Sequence, residues 1–140
     1  MRTWIVLFLI SFGAMAQHAA QPEKESTSDL RSSLSIFSIE DTDSEKIYWL
    51  ERTANLDYFL RLKDDDDESI RKVDSRDAKK LEMDFASRFL KIQYELPASE
   101  GKCEVTLRLS LKGESQEVCK KDDKKTQEIK PFLDAIGKRF

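Results

Sequence analysis

Two segments in the second half of the chain alternate strictly between apolar and polar residues. In residues 103–111 the apolar positions are Cys103, Val105, Leu107, Leu109 and Leu111, and residues 90–96 alternate in the same way. Turn-forming residues at 97–101 separate the two segments. A period of two places all the apolar side chains on one face of a strand. The pattern therefore predicts an antiparallel hairpin with one face on a core and the other in water.

Shorter patterns indicate further strands. Residues 34–39 and 56–63 favour strands, the second by an alternation that only Phe59 interrupts, and residues 69–73 fit another short strand. Residues 46–53 keep both helical and strand spacing, so either structure remains open there.

Two helices are expected. Asp74 or Ser75 can cap the first, which is predicted to run to Phe85 because Ala78, Leu81 and Phe85 keep helical spacing. The second is predicted over residues 130–137, with Pro131 in its first turn and Gly137 at its end. Together these elements predict an α+β fold in which an antiparallel sheet, single-layered or sandwich-like, carries one or two short helices on one face. A mostly-β sandwich or small barrel is the alternative.

The pattern of the first residues predicts a secretory signal peptide. Arg2 supplies a positive start, residues 4–12 are apolar, and Ala14-Met15-Ala16 is a small-x-small cleavage pattern. We therefore expect a signal peptide at residues 1–16, with Ala20 as an alternative end, and a disordered lead at residues 17–33. Residues 34–140 then form one globular domain, secreted and without a membrane span.

The chain has two cysteines, Cys103 and Cys119. In an oxidising secretory compartment such a pair predicts one disulfide, whereas two thiolates without a nearby histidine leave a zinc site half filled. A cross-strand bond between them would centre the connecting loop on Leu111. The turn residues lie at 112–114 instead, so a bulge or a longer loop is expected.

The residue types argue against catalysis. His18 is the only histidine and lies beside the cleavage site, which excludes nucleophilic catalysis that relies on histidine and HExxH zinc hydrolysis on the folded domain. The acidic run at residues 64–68 predicts a solvated loop with at most diffuse attraction for calcium, because Ser69 and Ser75 stand where an EF-hand needs Gly and Glu. We expect no enzyme activity, no cofactor and no specific metal site.

The charge composition limits the classes of binding partner that we expect. Charged residues make up 36% of the chain and the net charge is −3, which argues against the concentrated basic face that nucleic-acid binding needs. We expect a monomer that binds an extracellular protein or a small ligand.

Two alternatives for function remain open. Gly137-Lys138-Arg139 resembles the amidation and dibasic cleavage signal of peptide-hormone precursors, which would make Ile136 an amidated end. The arrangement of a helix, an antiparallel sheet and a late disulfide is similar in outline to cystatins, which implies a secreted inhibitor or effector. The Gln-x-Val-x-Gly motif of cystatins is absent.

Overall fold

A computed structural model describes residues 33–97, 103–119 and 123–140. The predicted signal peptide, and the predicted lead up to residue 32, lie outside the described residues. In chain order the elements are β1 (Leu34–Asp41), β2 (Lys46–Arg52), β3 (Tyr58–Asp64), β4 (Asp67–Val73), α1 (Ser75–Tyr94), β5 (Val105–Leu111), β6 (Glu114–Cys119) and α2 (Asp123–Gly137).

The six strands form one antiparallel sheet in the order β4-β3-β2-β1-β5-β6. The first four strands follow one another as a meander. Helix α1 then carries the chain from β4, at one edge, to β5, which pairs with β1 on its other side. The predicted α+β class with a dominant antiparallel sheet is confirmed, and residues 46–52, which the sequence left open, form a strand.

Both helices pack on the same face of the sheet. The ring of Phe37 in β1 stacks on Phe85 of α1 at 4.6 Å and meets the edge of Phe132 of α2 at 5.5 Å between ring centroids. Phe85 and Phe132 also contact each other, at 5.4 Å. All three rings are at most 2% exposed. One sheet residue therefore fixes the positions of both helices.

The predicted strand at residues 90–96 is wrong, because α1 continues to Tyr94. The residues of α1 that are buried follow helical spacing: Ala78, Leu81, Phe85, Phe89 and Ile92. Leu90 and Tyr94, which carried the alternation, are 46% and 74% exposed. Burial of the helical stripe outweighs a period-two pattern of four residues. The hairpin partner of β5 is β6, so the hairpin predicted between residues 90–96 and 103–111 does not form.

The N-terminus of α1 is where the sequence predicts it. The Asp74 side chain accepts hydrogen bonds from the backbone N–H groups of Arg76 and Asp77, both at 2.9 Å. These bonds satisfy donors that have no partner within the first turn of the helix.

The acidic run is not a loop of five residues. Only Asp65 and Asp66 form the turn between β3 and β4, and Asp64 faces Asp67 across the hairpin. Successive strand residues point to opposite faces of the sheet, which separates the carboxylate of Glu68 from those of Asp64 and Asp67. Asp64 lies 3.0 Å from Lys46 Nζ, and this hydrogen bond raises the pKa of Lys46. The charges are thus accommodated by pairing as well as by solvent.

Helix α2 begins seven residues earlier than predicted, so Pro131 lies inside the helix rather than in its first turn. Proline has no N–H to donate to the preceding turn. The helix is held nevertheless by Ile129, Phe132 and Ile136, which are buried in the core. An ion pair of 2.7 Å between Lys91 and Glu128 also joins the two helices and raises the pKa of Lys91.

The β5–β6 hairpin turns at Lys112-Gly113, within the turn residues 112–114 that the sequence predicts. Both residues have positive φ, as two-residue hairpin turns require. Near the other end of the hairpin the register shifts between Val105 and Leu107. This bulge accounts for one residue of the offset expected from the cysteine spacing, and the rest arises because Cys119 pairs with Val105 rather than with Cys103. Cys103 and Cys119 lie at disulfide distance, with their Cα atoms 5.5 Å apart.

Neither helix in the described ranges combines the length and the apolar character needed to cross a bilayer.

Replacing Phe85 by alanine should lower the free energy of unfolding by about 3–5 kcal/mol, because the ring is fully buried against Phe37 and Phe132. Chemical denaturation followed by circular dichroism measures the loss. Tyr94→Ala is the matched control, an aromatic truncation in the last turn of the same helix at a largely exposed position. An equal loss in both variants would contradict the assignment of residues 90–94 to α1.

Candidate binding surface

The sheet face opposite both helices is here called the open face. Residues that pair across an antiparallel sheet share a face, so the strand register defines which side chains lie there. The central row crosses all six strands: Ile70, Arg61, Trp49, Ser38, Ser110 and Ser115. A charged row runs beside it: Glu68, Lys63, Ile47, Glu40, Arg108 and Glu117. On the other side, a shorter row contains Lys72, Phe59, Glu51 and Ser35.

Trp49 is held in place by two charged neighbours. Its indole Nε1 donates a hydrogen bond of 2.6 Å to Glu51 Oε1. The guanidinium carbon of Arg61 lies 5.0 Å from the centroid of the Trp49 ring, within the range of a cation–π contact. These two contacts give the ring a defined orientation on the open face.

Arg61 joins this tryptophan to two carboxylates. Its Nη1 donates to both oxygens of Glu51, at 3.3 and 3.2 Å, and its Nη2 pairs with Glu68. The side chains of Glu51 and Arg61 are only 10% and 16% exposed. Ion pairs shielded from solvent to this degree are screened by salt less than those on an exposed surface.

Phe59 is an apolar residue at the same end of the open face. It is 8% exposed, yet it lies outside the core cluster formed with the helices. Its cross-strand partners are Glu51 and Lys72. Ile70 completes this end and is 43% exposed. Trp49, Phe59, Arg61 and Ile70 thus form a patch of aromatic, apolar and cationic groups on strands β2 to β4.

Small hydroxyl side chains occupy the other end of the central row. A depression of about 460 Å³ lies over β1, β5 and β6, with Ser38, Ser110 and Ser115 in its lining. Arg108 also lines the depression, and its guanidinium lies 3.6 Å from a Glu40 carboxylate oxygen and 3.4 Å from one of Glu117. The open face therefore changes from aromatic to polar along one row.

The residues of the open face offer several kinds of group for non-covalent contact. Trp49 and Ile70 offer apolar contact area, whereas the serines and the charged row offer hydrogen-bond donors and acceptors. Within the described ranges, no group of three or more His, Cys, Asp or Glu side chains is placed to hold a metal ion. The two lysines with raised pKa, Lys46 and Lys91, do not belong to the rows of the open face.

The residues that the sequence singled out are spread over the molecule. Cys103 and Cys119 meet at the β5–β6 hairpin. Glu68, from the acidic run, reaches the open face through its pair with Arg61. Gly137-Lys138-Arg139 lies at the end of α2, where Arg139 is 3.9 Å from Asp77. His18 lies outside the described residues.

Sequence reasoning missed the cluster of Trp49, Glu51 and Arg61. A signal was present, because charged or amphipathic residues alternate with the buried residues Leu50 and Leu60. The pattern identifies residues that face away from a core. It does not show which residues of β2 and β3 lie opposite each other, and that register creates the cluster.

The chain matches no known family model, and comparisons with curated proteins and with solved structures find no similar protein.

Removing the Glu51 carboxylate should lower the free energy of unfolding by about 1–3 kcal/mol, because a largely buried Arg61 loses two hydrogen bonds. The measurement is urea denaturation of Glu51→Ala. Glu117→Ala is the matched control, since that glutamate pairs with Arg108 at a side-chain exposure of 54% and should cost about 0–1 kcal/mol. A Glu51→Ala loss no larger than that of the control would refute a buried network around Trp49.

Proposed function

We propose that this protein is secreted and acts by binding, as an extracellular interaction module without catalytic activity, and that the open face centred on Trp49 is its recognition surface.

The observation that carries the proposal is a partly exposed tryptophan near the centre of a sheet face that neither helix covers, with an exposed isoleucine at the β4 edge of the same row. The solvent face of an antiparallel sheet is normally polar. Here the central row places Trp49 beside Arg61 and Ile70 instead. Large apolar groups on an uncovered surface, rimmed by polar residues, mark interaction sites.

The chemistry of these residues supports the same conclusion. Tryptophan and arginine are enriched among the residues that contribute most to binding energy. Trp49 is already held by Glu51 and Arg61, so less side-chain freedom is lost when a partner binds. The open face thus combines contact area with a preformed geometry.

The charge pattern favours a protein partner or a polar small ligand over a nucleic acid. Along the charged row the sign alternates: Glu68, Lys63, Glu40, Arg108 and Glu117. A phosphate backbone requires a surface of one positive sign. An alternating row suits a partner with matching alternate charges, which gives specificity.

The extracellular location rests on the signal-peptide pattern and on the cysteine pair. Cys103 and Cys119 at disulfide distance are consistent with an oxidising compartment, where disulfides form and persist.

The peptide-precursor alternative receives less support. Ile136, the residue that processing would make C-terminal, is fully buried in α2. Beyond the dibasic pair, the ring of Phe140 lies 6.3 Å from Tyr48, and the Phe140 carbonyl accepts a hydrogen bond from Arg71. Cleavage at this site would require the end of α2 to detach from the domain. An inhibitor of the cystatin kind would be one special case of the binding module proposed here.

The proposal is tested by capture with the chain from Gln17 to Phe140 as bait, in the fluid into which the protein is released. Trp49→Ala and Arg108→Glu change the open face, and Tyr94→Ala and Lys79→Glu are matched changes at exposed positions on α1. We expect the open-face variants to lose the partner by about tenfold or more in affinity, and the α1 variants to retain it. Titrations of the purified partner provide the affinities.

Tryptophan fluorescence gives an independent readout. Trp4 and Trp49 are the only two tryptophans, so a chain that begins at Gln17 reports on Trp49 alone. Its emission should shift when the partner is added. Equal capture by all four variants, with no change in emission, would contradict the open face as the recognition surface.

A further inference from the structure

We propose that two copies of this chain pair through their β4 edges, antiparallel and centred on Ile70, so that Glu68 of each copy lies opposite Lys72 of the other.

Strand β4 is a free edge of the sheet. It pairs with β3 alone, and its residues from Asp67 to Lys72 are all exposed. The described residues place no further strand along this edge. A row of unpaired backbone N–H and C=O groups is a template for pairing with another strand.

The hairpin fixes which residues of β4 direct their backbone groups outward. Asp64 and Asp67 flank a turn of two residues and so form a hydrogen-bonded pair. Hydrogen-bonded and non-hydrogen-bonded pairs alternate along an antiparallel ladder. Ser69, Arg71 and Val73 therefore bond toward β3, whereas Glu68, Ile70 and Lys72 present their N–H and C=O groups to the free edge.

These three outward residues are self-complementary. When two β4 strands meet antiparallel about a two-fold axis at Ile70, Ile70 faces Ile70 of the second copy. Glu68 faces Lys72 of the second copy, and the symmetry repeats this pair. All three outward positions exchange backbone hydrogen bonds in this register, and opposite charges lie across from each other at both ends.

Neighbouring registers are less favourable. A shift of two residues in one direction brings Ile70 opposite Glu68 and removes the apolar contact at the centre. A shift in the other direction brings Ile70 opposite Lys72 and places Glu68 opposite Asp74, a like-charge pair. The sequence of β4 thus specifies one symmetric register.

The charges that usually protect an edge do not prevent this pairing. A lysine on an edge strand deters association when it meets an apolar or like-charged neighbour. In the proposed register Lys72 meets a carboxylate instead. In the isolated chain Lys72 pairs with Asp57 at 3.0 Å, and Glu68 pairs with Arg61. Both side chains lie on the open face, at its edge, where they can reach across to a second copy.

The dimer would join two sheets into one and set two open faces side by side. The central row would then run from Trp49 through Arg61 and Ile70 of one copy into the same residues of the next. A chain that the sequence alone led us to expect as a monomer would present its recognition surface twice, which raises the avidity for a repetitive partner.

Charge variants of the mature chain test this register by sedimentation equilibrium and native mass spectrometry. Glu68→Lys puts lysines opposite each other, and Lys72→Glu does the same with glutamates, so each variant alone should dimerise on the order of tenfold more weakly than the wild type. An equimolar mixture of the two should restore dimers that contain one copy of each, because both cross-strand pairs are then opposite in charge. Glu114→Lys, the same charge change on exposed β6, should dimerise like the wild type.

Hydrogen exchange provides a second measurement. The amide of Ile70 should exchange more slowly as the wild-type concentration rises, whereas exchange at Gln116 of the other edge strand should not depend on concentration. A wild type that stays monomeric up to its solubility limit would overturn the proposal. So would single variants that dimerise normally, or a mixture that yields no mixed dimers.

Discussion

The contact of Phe37 with Phe85 and Phe132 is the constraint on which the rest of this structure depends. Phe37 lies in β1, near the middle of the sheet, and touches one aromatic ring from each helix. Burial of three such rings is among the largest contributions a small core can contain. Because a single side chain of the sheet anchors both helices, both must lie on the same face.

The opposite face is open as a direct result. On this face the strand register places Trp49 opposite Arg61, and Glu40 opposite Arg108. The Glu51 carboxylate accepts hydrogen bonds from Trp49 and Arg61 and so stabilises this face without a second layer of helices, while Arg61 Nε is buried without a hydrogen-bond partner. The proposed recognition by the open face uses the centre of this uncovered sheet, and the proposed pairing through β4 uses its edge.

The sequence predicted a helix or strand best where one face of the element is buried and its apolar residues recur with a clear period. Residues 105–111 alternate and form β5, and Asp74 caps α1 as its position before the helical stripe indicated. Residues 90–96 were misleading because the alternation there coincides with the last turns of a longer helical stripe ending at Ile92. Pro131 was misplaced for a related reason, since burial of Ile129 and Phe132 maintains a helix through a residue that disfavours it.

The open face could not be read from the sequence. Trp49 and Arg61 are twelve residues apart in the chain, and only the register of β2 against β3 places them in contact. Local patterns show which residues leave the core. They do not show which strands become neighbours, because that depends on long-range pairing across the sheet.

Hydroxyl-radical footprinting of the chain, at a concentration where it is monomeric, tests most directly whether the helices cover one sheet face only. The structure predicts oxidation of Trp49 and Ile70 on the open face, and protection of Phe37 and Leu109 on the helix face. Protection of Trp49 and Ile70 to the same extent as Phe37 would show that the open face is covered, and would contradict this account of the protein.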